Sequence, residues 1–219
     1  MIRTGLFWSF LIIMCMGAGS VYGVWQSPPG ESIAVQWSID GTSNRFVDRN
    51  TGLFLLPTSA FLVSMLFAIA PAIDPRRENL LKNEGLYLTA WIGGIGLVAL
   101  SHAAIVASAV SGNTPAPIII LLGVSGFIVL VGNLMAKSKS NFFVGIRNPW
   151  TLSSHHAWSV GNRTAGWGFV LSGLIAIGCI VAGQLEPALF ALLIGVGASV
   201  VIATIASYIA WRQHRAIPE

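Results

Sequence analysis

The chain has 219 residues, of which 54% are apolar and only 9% are charged, whereas an ordinary soluble domain carries about 25% charged residues. So few charges cannot cover a water-exposed surface, and the mean hydropathy of +0.74 is too high for a single globular core. The composition excludes a disordered chain, a collagen and a coiled coil, and it predicts a polytopic membrane protein.

Charged residues divide the chain into apolar intervals, which can be converted into spans because a helix of about 20 residues crosses a bilayer. A turn predicted at residues 111–117 splits the long uncharged interval between Glu84 and Lys137. The sequence therefore predicts an all-α fold with six transmembrane helices. The expected ranges are 5–25, 52–73, 86–110, 117–136, 165–184 and 188–210.

The distribution of cations predicts the orientation, because cytoplasmic loops of membrane proteins are enriched in Lys and Arg. Only Arg45 and Arg49 fall on one side of the predicted topology. We therefore expect both termini in the cytoplasm and the chain in the plasma membrane, with its net charge of +4 directed at lipid headgroups and with no direct nucleic-acid binding. The cations on the other side are Arg3, Arg76, Arg77, Lys82, Lys137, Lys139, Arg147, Arg163, Arg212 and Arg215.

The N-terminal apolar stretch resembles a secretory signal, but residues 18–26 offer only a weak cleavage site, so we expect a retained first helix. The loop that follows, residues 26–51, is the one sizeable segment on the predicted outer side. Val35, Trp37 and Ile39 alternate with polar residues before the turn signal Asp40-Gly41. This pattern favours a short strand pair on the membrane surface, and an irregular connector is the alternative.

The segment of residues 137–163 has a different composition, with four cations and no carboxylate. Aromatic and cationic side chains favour the headgroup region, so we expect this segment to lie along the inner membrane interface. Pro149 breaks the chain, and Thr151 or Ser153 is placed to cap a short helix that runs toward Arg163. The aromatic residues of the segment are Phe142, Phe143, Trp150 and Trp158.

The catalytic chemistry of common enzymes is missing, because residues 85–185 contain no Asp or Glu and no phosphate-binding loop. We expect no enzyme, no cofactor and no metal site. His155 and His156 are adjacent, so on a helix they diverge by about 100° and cannot chelate one metal ion. Cys15 and Cys179 lie in uncharged runs and are expected to pack as small apolar residues.

His102 is the one ionisable residue within a predicted span, and such residues are functional candidates because their burial is costly. A structural role, in which neutral His102 hydrogen-bonds a neighbour, is the favoured interpretation. Asn133 is expected to hold helices together through its side-chain amide. A small proton-linked transporter or carrier, with His102 and Asn133 lining a path, stays open as the alternative function.

One stretch, Gly132 to Ser154 (GNLMAKSKSNFFVGIRNPWTLSS), closely resembles the signature of the SdpI family, the immunity proteins against a secreted toxin. Asp74 to Glu78 (DPRRE) resembles the family's link after its second span. Residues 35–49 and Pro57 are similar to the two-helix domain of unknown function that often precedes it. The resemblance implies a two-helix membrane domain over residues 1–75 and a four-helix domain over residues 76–219.

The resemblance also implies a function, namely protection from a membrane-active toxin peptide and possible signalling through a cytoplasmic transcriptional repressor. This chain departs from the family at His155-His156, where two acids are usual, and at Gln36 and Ser38, where His and Asn are frequent. The motif residues that the resemblance identifies for partner binding are Asn133, Phe143, Gly145, Arg147, Pro149, Trp150, Thr151, Ser153, Trp158 and Arg163.

Overall fold

A computed structural model describes residues 1–111 and 116–215, with side chains up to residue 213, so the centre of the turn predicted at 111–117 lies outside the described residues. Within the described residues six helices are long and apolar enough to cross a membrane, which confirms the predicted fold class. The third of them joins a short helix, a π-helical turn and a longer helix. The helices are α1 (Ile2–Gln26), α2 (Arg49–Ile73), α3 (Arg77–Lys82), α4 (Glu84–Leu88), the π-helical turn (Thr89–Gly93), α5 (Gly94–Ser111), α6 (Ala116–Met135), α7 (Pro149–Ser153), α8 (His155–Val181) and α9 (Leu185–Arg215).

Five of the six predicted spans agree with the structure to within about five residues at each end, within the scatter expected of helix boundaries read from sequence. The fifth span is the exception, because α8 begins at His155, ten residues before the predicted start at 165. Ser154 has an extended backbone, separates α7 from α8 and caps α8. The predicted short interfacial helix toward Arg163 and the fifth span therefore form one continuous helix.

The chain forms two compact units that interleave along the sequence. One unit comprises residues 2–68 and 91–123, and we call it the hairpin unit. The other comprises Met1 and residues 69–90 and 124–219, and we call it the loop unit. Because these units are defined by spatial contacts, the sequence boundary between residues 75 and 76 stays a prediction, as does the cytoplasmic position of the termini.

The hairpin unit contains the two strands β1 (Ser32–Trp37) and β2 (Ser43–Asp48), which pair antiparallel. This confirms the strand pair and excludes the irregular connector. The turn lies at Asp40-Gly41, where Gly41 adopts a φ of +88° that favours glycine. Apolar side chains of the hairpin and the helices form one core around Ile33, Leu53 and Ile105.

The loop unit is held together by α8 and its neighbours. Leu86, Met135, Ala165 and Ala203 form its buried core, with one residue each from α4, α6, α8 and α9. The residues that connect α6 to α8 close over this core, because Val144 and Ile146 pack against it. We call residues 137–163 the connecting segment, and its geometry decides which motif residues can meet a partner.

Candidate functional site

The connecting segment is fastened to the residues around α3 by backbone hydrogen bonds to two asparagines. Asn83 Nδ2 donates to the carbonyl of Lys139 at 2.7 Å, and Asn83 Oδ1 accepts the Lys139 N–H at 2.8 Å. Asn79 Nδ2 donates to the carbonyl of Ser140 at 3.0 Å. The start of the segment therefore has a fixed position relative to α3 and α4.

Asp74 and Arg76 form a second attachment. Asp74 is 5% exposed, and its carboxylate accepts the backbone N–H of Arg76 at 2.7 Å and of Phe142 at 3.2 Å. The Arg76 guanidinium donates to Ser140 Oγ and to the carbonyl of Leu152, and it lies 5.4 Å from the centre of the Phe142 ring. The buried Asp74 and the half-buried Arg76 of the DPRRE stretch thus both stabilise the loop.

A fully buried amide organises the turn at residues 141–145. Asn141 Oδ1 accepts the backbone N–H groups of Phe143 at 2.9 Å and Val144 at 2.8 Å, while its Nδ2 donates to the carbonyls of Lys139 and Val144. All the polar atoms of this side chain are used within the segment. Since a buried amide without partners is costly, the turn depends on this asparagine.

The next turn depends on Gly145 and on Asn162 of α8. Gly145 has a φ of +115°, and a Cβ there would lie 2.5 Å from Asn162 Oδ1. That oxygen accepts the Ile146 N–H at 2.8 Å, and Asn162 Nδ2 donates to the carbonyl of Trp158 at 3.1 Å. Glycine is required here because any side chain would displace the amide that bonds Ile146.

The capping residues differ from those predicted. Asn148 caps α7, with Pro149 in its first turn, because the Asn148 side chain accepts the Thr151 N–H at 2.9 Å while Thr151 Oγ1 accepts the Asn148 N–H at 3.0 Å. Ser154 caps α8. The prediction that Thr151 or Ser153 caps the helix toward Arg163 is therefore wrong. Thr151 instead completes a capping box, and the hydroxyl of the exposed Ser153 bonds the carbonyl of Trp150.

Two tryptophans anchor the segment to the helices. The Trp150 indole N–H donates to Ser207 Oγ of α9 at 2.8 Å, and its ring meets Tyr208 edge to face at 5.3 Å between ring centres. The Trp158 indole N–H donates to the carbonyl of Ser138 at 2.9 Å, and this side chain is 2% exposed. The aromatic rings predicted for the membrane interface thus serve partly as packing inside the loop unit.

Five of the motif residues are exposed, namely Asn133, Arg147, Pro149, Ser153 and Arg163, and three of them carry a polar side chain away from the helix caps. Arg147 is exposed, although one of its N–H groups donates to the carbonyl of Phe142 at 2.6 Å. Asn133 and Arg163 are exposed on α6 and α8, and neither side chain hydrogen-bonds any described residue. The packing role predicted for Asn133 is therefore wrong, because its side chain points away from the neighbouring helices.

His102 lies in the hairpin unit and is 2% exposed. Its Nε2 is 3.0 Å from Ser20 Oγ of α1 and 3.0 Å from the carbonyl oxygen of Leu53 in α2. The Ser20 hydroxyl reaches the same carbonyl at 2.6 Å. In the tautomer with the proton on Nε2, this nitrogen donates to the Leu53 carbonyl, since a carbonyl only accepts hydrogen bonds. The histidine therefore contacts polar atoms of two other spans, α1 and α2, and its purely structural role stays a prediction.

Sequence reasoning missed the residues that build the loop, namely Asn83, Asn141, Asn148 and Asn162. Residue type is the one signal available for them, because the same stretches hold many other hydrogen-bonding side chains. Asparagine bonds backbone groups at turns and helix starts, which is the use made of it here. Among the described residues no three His, Cys, Asp or Glu side chains come together as metal ligands would.

Comparisons with known proteins bear on the same part of the chain. Residues 137–207 match the SdpI/YfhL protein family. The whole chain is 27% identical over 199 residues to "Immunity protein SdpI" of Bacillus subtilis (strain 168), which covers 90% of this chain and 92% of that relative. No solved structure shows significant similarity. The resemblance to the SdpI family is confirmed, and the chain is a multi-pass membrane protein of the bacterial plasma membrane.

Proposed function

We propose that this chain is an integral membrane immunity protein, which protects a bacterial cell from a secreted, membrane-active peptide toxin. The strongest support is that the range matched by the family coincides with the connecting segment and the helices that anchor it. The family match begins at residue 137, where the connecting segment begins, and runs through α8 and most of α9, on which the segment is anchored. The part of the chain that matches the family is then this hydrogen-bonded loop together with its two supporting helices.

In this proposal the hairpin meets the toxin. β1 and β2 form a two-stranded sheet, and Phe46 on β2 is 57% exposed. Trp25, at the end of α1 next to the hairpin, is 79% exposed. Large exposed aromatic residues favour the membrane interface, where a membrane-active peptide accumulates before it inserts. The orientation that places this loop outside the cell is part of the proposal.

The response to toxin is assigned to Arg147. The amides of Asn141 and Asn162 are buried and hydrogen-bonded within the loop unit, so a partner reaches the exposed residues of the segment, among them Arg147. Arg147 presents a guanidinium, which is well suited to a carboxylate or phosphate because it offers several N–H donors in a fixed plane. A cytoplasmic repressor that docks here when toxin is present is the signalling form of the proposal.

The carrier alternative has less support. His102 would have to release a proton to a path, yet it is buried and its Nε2 already contacts Ser20 and Leu53. Asn133 is exposed on the surface of α6 and does not line an interior path of the loop unit. Uptake by proteoliposomes at a rate that depends on pH would nevertheless favour the carrier over the immunity protein.

The test is the membrane potential of toxin-sensitive cells that express the wild-type chain, Arg147→Ala or Arg77→Ala, measured before and after challenge with a secreted membrane-active peptide. Arg77 is an exposed cation on α3 without a bonding partner among the described residues, so its variant controls for loss of charge. We expect the wild type and Arg77→Ala to hold their potential and Arg147→Ala to lose it.

Two outcomes would contradict separate parts of the proposal. If Arg147→Ala inserts normally and still protects, the role of the connecting segment is wrong. If the wild type also fails although it is correctly inserted, the chain does not confer immunity to that peptide.

A further inference from the structure

The closest approach of α6 and α8 lies near the connecting segment. A Cβ at Gly132 would lie 2.6 Å from the carbonyl oxygen of Gly166, and a Cβ at Gly166 would lie 2.5 Å from that of Gly132. Farther along, a Cβ at Gly173 would lie 2.7 Å from the carbonyl oxygen of Ser125. The residue numbers fall on α6 as they rise on α8, so the helices run antiparallel and side by side.

The helices bury one flank of this contact and expose the other. Met135 and Ala165 are buried in the core of the loop unit, whereas Asn133 and Arg163 are exposed. Each residue is rotated by about 100° around the helix axis from the residue before it. Asn133 therefore points about 100° away from the direction in which Gly132 faces α8, and Arg163, three residues before Gly166, points about 60° away from the direction in which Gly166 faces α6. Because the helices are antiparallel, these two rotations have the same sense and bring both side chains to the same flank of the helix pair.

The exposed flank continues away from the connecting segment as an apolar stripe. Along α8 the exposed fractions are 70% for Trp167, 61% for Leu171 and 54% for Leu174. Leu130, on α6 about one turn from Asn133, is 57% exposed. The flank thus has polar side chains at one end, a tryptophan next to them and aliphatic side chains beyond, the order of groups in a leaflet.

The polar groups at that end have no hydrogen-bond or ion-pair partner among the described residues. The Asn133 amide hydrogen-bonds no described residue, although it stands at the end of an apolar span where an unpaired amide is costly. Arg163 and the exposed Lys137 have no carboxylate of the described residues within 4.0 Å. Two cations and an amide donor therefore converge on one flank without a counter-ion.

We propose that this flank binds one anionic glycerophospholipid, with its phosphodiester held by Arg163 and the Asn133 amide. Lys137 adds a second positive charge at the headgroup level, and the acyl chains lie along Leu130, Leu171 and Leu174. The proposed occupant is a lipid and not free phosphate, because the donors continue directly into the exposed aliphatic stripe. The site does not depend on the immunity function.

The experiment is native mass spectrometry of the full chain, released from mixed micelles that contain equal amounts of phosphatidylglycerol and phosphatidylcholine. The measured quantity is the ratio of the two bound lipids. We expect the wild type to favour phosphatidylglycerol, Arg163→Gln to lower the ratio about tenfold, and Asn133→Leu, which changes no charge, to lower it about threefold. Added inorganic phosphate should leave the ratio unchanged.

Lys82→Gln is the matched control, because Lys82 is an exposed cation on α3 that has no bonding partner among the described residues. It should lower the ratio less than about twofold, since charges outside a site are screened. If Lys82→Gln and Arg163→Gln lower the lipid ratio equally and Asn133→Leu does not lower it, the preference comes from general attraction between positive charges and anionic lipid and not from a defined site. A wild type without preference, or displacement of the lipid by inorganic phosphate, would also overturn the proposal.

Discussion

Among the buried polar residues that the structure describes, two groups are built differently. In the hairpin unit, His102, Ser20 and the Leu53 carbonyl form a small cluster among three apolar spans. In the loop unit, Asn141, Asn162 and their neighbours bind the backbone of a long irregular segment. The first cluster connects helices whose backbone hydrogen bonds are already made. In the second, side-chain amides supply the hydrogen bonds that the backbone of an irregular segment cannot make with itself.

The difference teaches where to look for partner binding. The His102 cluster exposes none of its polar atoms to a partner, because His102 is 2% and Ser20 0% exposed. Asn141 and Asn162 of the connecting segment are equally buried, yet the loop that they build holds Arg147 at the surface. Buried polar groups thus identify what the fold needs, and the exposed residues they position are the better candidates for recognition.

The largest effect is expected at Gly145, where the loop is most constrained. Gly145→Ala places a Cβ 2.5 Å from Asn162 Oδ1 at a φ of +115°. Strain and the displaced amide together should cost about 3 kcal/mol of unfolding free energy. Thermal unfolding in detergent measures this cost.

Gly30→Ala is the control for that variant, because Gly30 has a φ of +83° but no atom within 4 Å of an added Cβ. It carries the backbone strain alone and should cost about 1 kcal/mol. Equal losses in the two variants would show that the contact with Asn162 contributes nothing.

Asn162→Ala should cost about 2 kcal/mol, because the Ile146 N–H loses its acceptor in a buried position. Asn50→Ala is the control, because it makes the same substitution at an exposed asparagine whose side-chain amide has no bonding partner among the described residues. It should change the unfolding free energy by less than about 0.5 kcal/mol. A shift in the unfolding midpoint of the same size for both variants would contradict the structural role of Asn162.

The sequence predicted the parts of the fold that depend only on residues adjacent in the chain. Span positions depend on uncharged length, and the hairpin turn depends on Asp40-Gly41, so both could be predicted. The start of α8 could not, because Ser153 and Ser154 are both acceptable caps. The choice between them depends on Thr151, whose hydroxyl is bonded to the Ile146 carbonyl and to Asn148.

The sequence predicted where the candidate site lies along the chain, but it did not predict the role of each residue in it. The family resemblance marked Gly145, Thr151 and Trp158 together with Arg147, and nothing in the sequence separated the residues that build the loop from one that faces outward. That separation depends on contacts distant in sequence, such as Trp150 with Ser207. Asn133 was misassigned for the same reason, since hydropathy places a residue along a span but not around it.

His102 offers a smaller effect that tests the other group. His102→Leu should cost about 1 kcal/mol, because the Leu53 carbonyl keeps Ser20 as a donor, and it should leave protection from toxin unchanged. His102→Gln retains an N–H donor and should lose less. Loss of protection in a correctly inserted His102→Leu variant would make the cluster functional and would remove the contrast between the two groups.

The smallest effect concerns the pH dependence of the hairpin. The Thr42 hydroxyl and N–H donate to Asp40 and hold its pKa below the usual 3.8, and Thr51 lowers the pKa of Asp48 in the same way. A lowered folded-state pKa contributes stability that is complete above 3.8 and is lost as the pH falls through the folded value.

Hydrogen-exchange protection of the Thr42 amide should therefore stay constant at neutral pH and fall only in acid below that value. The double variant Asp40→Asn, Asp48→Asn keeps the acceptor oxygens but cannot titrate, so its protection should not change with pH. If the wild type retains full protection in acid, the Asp40 carboxylate does not hold the hairpin turn.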